Sequence, residues 1–483
     1  MMFSARGKSL RSLALPLIVL LAIASFRTIP AEAGSPTDQV SALVDKYELA
    51  SKAICGVVAY DLRSRSKIVD VHGEALFVPA SNQKILTSAF ALATLGPGFQ
   101  FTTSVNLVGE NILVTGDGDP TIGDPYIAAQ QERSVYVELD RWAQAVRQRV
   151  GANIAGDLLV CCDRFGDSFW NPSWPKAQRH RWYCAPIADL NFHNNCFGVR
   201  FAVANGVVSP QLIPGGPYIR VDSSVKKGKK HLWSLKSDAG ESVVHLRGSV
   251  KGPTRSPFRV AANDPPMLLG RALAGRLAKA GVTLKGRIRK VKADEIDTDA
   301  SKLLAQTKTP LALAMKQANK RSLNMAAECM FLRAGDGTWK GSAEAMMLCL
   351  TDKYGLTAED LSVTDGGGLS HANKVSPLAL TKVLGKLALM PEARCFLRSL
   401  PRSGTDGSMK SRLTRYPYKG HVIAKTGYVN GSSCLSGYIL DRDYRVAVAF
   451  SVMVNRVSLG KAWVAKGLQD SICRLLVDAV NAE

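Results

Sequence analysis

Three short clusters of residues could together carry a serine-based acyl transfer. The first is Ser81-Asn82-Gln83-Lys84, at the head of a run in which Ile85, Leu86, Ala89, Phe90 and Ala93 repeat at helical spacing. A spacing of three sets the serine and the lysine one turn apart on one helix face. A serine hydroxyl is a weak nucleophile and needs a base, and a lysine amine serves only when neutral. Burial at the start of an apolar helix, beside a second cationic group, pushes the lysine pKa down. The helix N-terminus also presents backbone N–H groups that can help hold an oxyanion. The same pattern recurs at Ser64, Ser173, Ser223, Ser224 and Ser458, but only Ser81 leads directly into a long apolar helix.

Ser322-Leu323-Asn324 opens another helix-like run. Its hydroxyl can relay a proton to a leaving amine, and the Asn324 amide can donate to a substrate carbonyl. In isolation Ser322 reads as a helix N-cap, and Ser104-Val105-Asn106 fits the same pattern. Lys425-Thr426-Gly427 occurs once, after Val422-Ile423-Ala424, which reads as a strand. The lysine and the threonine hydroxyl can bind a terminal carboxylate, and Gly427 leaves room for a substrate backbone.

Ser-x-x-Lys, Ser-x-Asn and Lys-Thr-Gly in this order are the signature of β-lactamases and penicillin-binding proteins. Lys84 and Ser322 lie 238 residues apart, far more than the common small β-lactamases place there, and Ser322 and Lys425 lie 103 apart. This arrangement resembles the class C low-molecular-mass penicillin-binding proteins, the serine D-alanyl-D-alanine carboxypeptidase/endopeptidase family. Further blocks carry the resemblance: Gly116 to Thr121, Asn194 to Phe197, Asn324 to Glu328, Asp365 to Ser370, Leu400 to Gly407 and Leu435 to Tyr438.

The resemblance implies an α/β (α+β) fold: a β-lactamase/transpeptidase-like domain with an antiparallel sheet and helices, interrupted by a β-rich insertion. It implies that Ser81 attacks the D-Ala-D-Ala carbonyl, Lys84 takes the serine proton and Ser322 relays it. Lys425 with Thr426 would fix the substrate carboxylate and lower the Lys84 pKa, and the backbone N–H groups of Ser81 and Tyr428 would form the oxyanion hole. Peptidoglycan peptides and β-lactam antibiotics are the implied partners, with no cofactor and no metal. Three departures stand out. Gly367 replaces a serine usual in its stretch, and Tyr428 follows Lys-Thr-Gly where a small hydroxylated residue is common. Cys161-Cys162-Asp163-Arg164-Phe165 stands where family members tend to read Asp-Asp-Ser-x-Phe. An acid there would contact the amine of the peptide's diamino acid, and Asp163 is the nearest substitute.

The elements that must position these residues divide the chain. Residues 34–100 and 263–483 read as one discontinuous catalytic domain of helices and closing strands. Residues 101–262 read as a β-rich insertion of two small subdomains, with short alternating runs such as Phe101 to Leu107, Leu158 to Cys162 and Val243 to Val250. Residues 1–33 have the form of a signal peptide: Arg6, Lys8 and Arg11, an apolar stretch from Leu13 to Phe26, then Ala31-Glu32-Ala33. No other run is long and apolar enough to span a bilayer, so no integral membrane segment is expected after cleavage.

The chain carries +22, and its first 33 residues hold four basic groups and one acidic group, which leaves about +19. Such charge favours anionic partners. An exported protein without a nucleic-acid-binding module points to the carboxylates and phosphates of a cell wall rather than to nucleic acid. Cys161, Cys162, Cys184 and Cys196 crowd one segment and could hold one or two disulfides. Other readings fit less well. A β-lactamase would need a Glu-x-x-Leu-Asn element, which is missing, and a catalytically silent wall-binding protein would not need all three motifs intact. There is no Gly-x-Ser-x-Gly elbow for a Ser-His-Asp hydrolase and no His-Glu-x-x-His for a zinc peptidase.

Overall fold

The strand that begins at Val422 is the edge of a five-stranded antiparallel sheet in the computed structural model. The structure describes residues 35–166, 168–297, 301–391 and 393–482, and the expected signal peptide lies outside them. The strand order is Val422–Val429, Ser432–Leu440, Val446–Asn455, Ile54–Asp61 and Ser66–Val71. Ser432–Leu440 is buried at every position, which a strand covered on both faces requires. Val40, Leu43 and Val44 of the helix Pro36–Ser51 share one core with Leu468, Ile472 and Leu476 of the helix Ala462–Ala482. That core also takes Val57, Ala424, Leu435 and Val452 from the sheet. Each such Val, Leu or Ile side chain contributes about 1.5–3 kcal/mol when fully buried. Pro36–Ser51 starts with a reciprocal cap between Ser35 and Asp38.

The described residues form two compact units, and this sheet belongs to the first, which holds Ser35–Asn82, Lys374–Ala388 and Pro401–Ala482. The second holds Gln83–Asn373 and Leu389–Leu400. The chain thus passes from one unit to the other inside the Ser81-to-Lys84 motif.

In the second unit, helix Gln83–Leu95 is buried along its first ten residues and packs on helix Asn324–Ala334. A mixed sheet has the order Ile288–Val291, Leu158–Cys161, Asn111–Gly116, Gln100–Val108 and Lys302–Pro310. Two three-stranded sheets, one around Cys196–Ala204 and one around Val243–Val250, share the core of Phe197, Val199, Phe201, Val244 and Leu246.

The structure adds two points. First, the segment 101–262, read as β-rich, also holds helix Val137–Arg149, which buries Leu139, Trp142, Ala143 and Val146. That stripe has helical spacing, but the charged residues between its members hid it from a reading built on short apolar runs. Second, all ten cysteines are free thiols. Cys161 packs with Leu113, Leu159 and Val291, and Cys196 with Ala185 and Ala261, so both act as small apolar core residues.

Candidate active site

Ser81 sits in a 3-10 turn, Ala80–Asn82, that runs directly into the α-helix from Gln83. The expected helix start at Ser81 is therefore tighter than an α-helical turn. Ala80 is buried at φ +47°, a left-handed backbone that costs an alanine roughly 1–2 kcal/mol. Such strain persists only where surrounding bonds over-determine it. Here they do. Val78 N–H donates to Asn455 Oδ1 at 2.8 Å, Ser432 Oγ donates to the Val78 carbonyl at 2.7 Å, and Asn82 Nδ2 donates to Ser436 Oγ at 2.6 Å. Three residues of the sheet thus fix the segment that presents the half-buried Ser81.

Lys425 and Gly427 alternate onto one face of the edge strand Val422–Val429, in the same unit as Ser81. A Cβ on Gly427 would stand 2.8 Å from the Pro79 carbonyl oxygen and 3.3 Å from Ala80 Cβ. The turn before Ser81 thus lies directly against Gly427, so a larger residue there would meet the protein itself. Lys425 is buried, and its Nζ donates to the Thr426 carbonyl at 2.7 Å. Thr426 Oγ1 donates to Ser408 Oγ at 2.7 Å, and the Tyr428 side chain is exposed.

Lys84 lies in the second unit and is wholly buried. Its Nζ donates to Asn324 Oδ1 at 2.7 Å and to the Gly367 carbonyl at 2.5 Å. Burial lowers its pKa to about 8, against the opposing pull of the Glu328 and Asp365 carboxylates. The Asn324 amide is held at both ends, because Nδ2 donates to the Tyr183 carbonyl at 2.7 Å. Ser322 is not the helix N-cap: Leu323 holds that position without a side-chain bond, and Ser322 stands before it at φ +57°.

Glu328 was not singled out in the sequence, yet it supports this cluster. It lies one turn beyond Asn324 on the same helix face, fully buried, and its two oxygens accept the Gly366 N–H at 2.8 Å and the Gly367 N–H at 2.7 Å. Burial, then the nearby Asp365 carboxylate, raises its carboxyl well above the usual range. Asp365 is itself buried and accepts from Gly368 N–H, Ser370 N–H and Asn373 Nδ2, each at 2.7 Å, and from Trp174 Nε1 at 2.8 Å. The signal was legible: an acid between Ala327 and Cys329 in an otherwise apolar helical run needs partners.

Asp163 is exposed in the second unit, and its Oδ2 accepts the Ala293 N–H at 2.6 Å. It lines a cavity of about 360 Å³ with Cys161, Arg164, Asp189 and Arg333. Asp189 was also missed. It is buried, Oδ2 accepts the Arg164 N–H at 2.9 Å, and Oδ1 has no hydrogen-bond partner among the described residues. Burial raises its carboxyl to about 6.

The fold of antiparallel sheet and helices is that of the penicillin-binding proteins and related transpeptidases. Residues 37–476 match the D-Ala-D-Ala carboxypeptidase 3 (S13) family, and the chain belongs to it. It is 26% identical over 513 residues to the D-alanyl-D-alanine carboxypeptidase of Actinomadura sp. strain R39, covering 98% of this chain and 91% of that one. It is 25% identical over 447 residues to the D-alanyl-D-alanine carboxypeptidase DacB of Haemophilus influenzae, covering 87% and 89%. The crystal structure of penicillin-binding protein 4 from Haemophilus influenzae superposes with a TM-score of 0.74 at 22% identity, covering 91% of this chain and 99% of that one. The resemblance to the class C low-molecular-mass penicillin-binding proteins holds, and with it the serine D-Ala-D-Ala carboxypeptidase class.

Proposed function

We propose that Ser81 is the nucleophile of this D-Ala-D-Ala carboxypeptidase and that the same site also opens D,D-cross-links. The observation that carries the assignment is Lys84, a buried amine three residues beyond Ser81 whose pKa is lowered to about 8. At pH 7 roughly one such amine in eleven is neutral, against one in a few thousand for an ordinary lysine. Lys84 takes the Ser81 proton as Oγ attacks the carbonyl carbon of the penultimate D-alanine. The backbone N–H groups of Ser81 and Tyr428 hold the oxyanion. On collapse the amide bond breaks, and Ser322 passes the proton to the departing amine. Water then hydrolyses the ester and restores the serine. Lys425 and Thr426 hold the terminal carboxylate, Gly427 keeps the serine turn in place, and Asn324 keeps the amine of Lys84 aimed.

A β-lactam offers a strained amide and a carboxylate in the positions of D-Ala-D-Ala, so it should acylate Ser81. We assign recognition of the diamino-acid amine to the cavity of Asp163 and Asp189. Residues 101–262 are proposed as an insertion into the catalytic domain, and the enzyme is proposed to act outside the cytoplasmic membrane after loss of residues 1–33. Among the described residues no helix is long and apolar enough to cross a membrane.

The test is release of D-alanine from a peptide ending in D-Ala-D-Ala. Lys84→Ala should lower kcat/KM by about 10²-fold or more. Activity kept within about threefold would remove Lys84 as the base.

A further inference from the structure

A groove of about 1200 Å³ in the second unit is lined by the segment Arg179 to Trp182, by Trp233 to Ser237 and by Pro257 to Ala261. Its walls combine Trp170, Trp182 and Trp233 with Arg179, Arg181, Lys236 and Arg259, and no carboxylate lines it. None of the four cations forms an ion pair among the described residues. Arg179 Nε is buried and has no hydrogen-bond partner among them either. An unmet buried donor costs about 1–3 kcal/mol, and only Nε is in that state, the Arg179 side chain as a whole being half-buried. With no carboxylate in the walls, the groove's positive charge points to an anionic partner from outside the protein.

The groove is preformed. Trp170 Nε1 donates to the Cys184 carbonyl at 3.0 Å, and the Arg179 guanidinium lies 5.0 Å from the Trp170 ring centre. Arg259 lies 4.1 Å from the Trp182 ring centre. The Ala261 N–H donates to the His180 carbonyl at 3.0 Å, which ties the loop to the strand opposite. A fixed surface avoids ordering costs on binding. One end adjoins the active-site cluster: Tyr183, next to Trp182 in the same 3-10 turn, supplies the carbonyl that accepts Asn324 Nδ2.

We infer that this groove binds an acidic saccharide chain, with indole faces against the C–H faces of sugar rings and the cations on carboxylates of attached peptides. Resting on the reading of the site as a peptidoglycan peptidase, that chain is a glycan strand whose stem peptides are being cut. Polymeric wall is then a better substrate than free peptide. Aromatic and basic residues together also suit single-stranded nucleic acid, but the contact with the Asn324 support favours the wall strand.

The experiment uses full-length Ser81→Ala protein, which cannot cut its ligand. The probes are soluble glycan strands bearing tetrapeptides, the same strands stripped of peptides, free tetrapeptide and oligodeoxythymidine. The intact strands should bind about tenfold or more tighter than each of the other three. Arg181→Glu with Lys236→Glu, both at exposed positions, and separately Trp233→Ala, should each weaken strand binding about tenfold. In the Ser81 background the charge reversal should leave benzylpenicillin acylation within about twofold, which also checks folding. Equal strand affinity in variant and parent, equal binding of stripped strands, or equal binding of oligodeoxythymidine would overturn the inference. Failure of the parent to be acylated by benzylpenicillin would instead overturn the reading of the active site, and strand binding would still judge the groove.

Discussion

Gly427 stands against the turn that presents Ser81, so close that a Cβ would lie 2.8 Å from the carbonyl oxygen of Pro79. The glycine of the Lys-Thr-Gly motif is therefore required by the protein before any substrate arrives. Gly427→Ala must push the turn away, and a shift near 1 Å at a reacting group costs about 10²-fold. Acylation by benzylpenicillin should fall by about that factor, while the far-ultraviolet dichroism keeps its shape. Acylation within about threefold of the parent would mean that the turn yields without displacing the serine.

Lys84 ties rate to pH. Its pKa is lowered to about 8, and the proposed mechanism uses the neutral amine. The second-order rate of acylation should rise about tenfold per pH unit below pH 8 and level off above it. Stopped-flow measurements of acylation from pH 5.5 to 9.5 check this. A profile flat across pH 6 to 8 would show that another group is the base.

The family was more legible than the supports of its proposed site. Motif order points to it, because acyl transfer fixes both residue type and spacing, and that order is what proposes Ser81, Lys84, Asn324 and Lys425. The closing strands and most helices followed from apolar periodicity, and helix Val137–Arg149 escaped because its buried stripe is diluted by charged neighbours. The roles of Glu328, Asp365 and Asp189 were hidden for another reason. The lone acid in an apolar helical run marks Glu328 as a residue in need of partners, but not which ones. Glu328 and Asp189 meet backbone N–H groups far along the chain, and Asp365 is met by the N–H groups of its own turn. The absent disulfides make the same point, since crowding in sequence does not put two thiols in bonding geometry.

The pair of Gly367 and Glu328 offers a test of packing. A Cβ on Gly367 would stand 2.5 Å from Glu328 Oε1, so Gly367→Ala should destabilise the protein by about 1–3 kcal/mol. Shortening the acid in Glu328→Asp withdraws the obstructing oxygen. The double variant should then lose less than the sum of the two single losses, by about 0.5 kcal/mol or more in urea denaturation. Strict additivity would mean that Glu328 does not set the requirement for glycine.

Substrate choice should separate from chemistry at the cavity of Asp163 and Asp189. Asp163 already accepts the Ala293 N–H, whereas Asp189 keeps one oxygen without a partner among the described residues. Asp163→Ala and Asp189→Asn should each reduce kcat/KM for muropeptides with a free diamino-acid amine, by about tenfold for Asp189→Asn and less for Asp163→Ala. Both should leave penicillin acylation unchanged. Equal losses in the two assays would assign these acids to folding.

The central claim is that Ser81 becomes the acyl-enzyme, and peptide mapping of the penicillin adduct tests it most directly. The full-length protein is incubated with benzylpenicillin, digested and sequenced by tandem mass spectrometry. One adduct is expected, on the peptide containing Ser81, and none on Ser81→Ala protein that keeps the parent's circular dichroism. An adduct on another serine, or one that persists on Ser81→Ala, would contradict it.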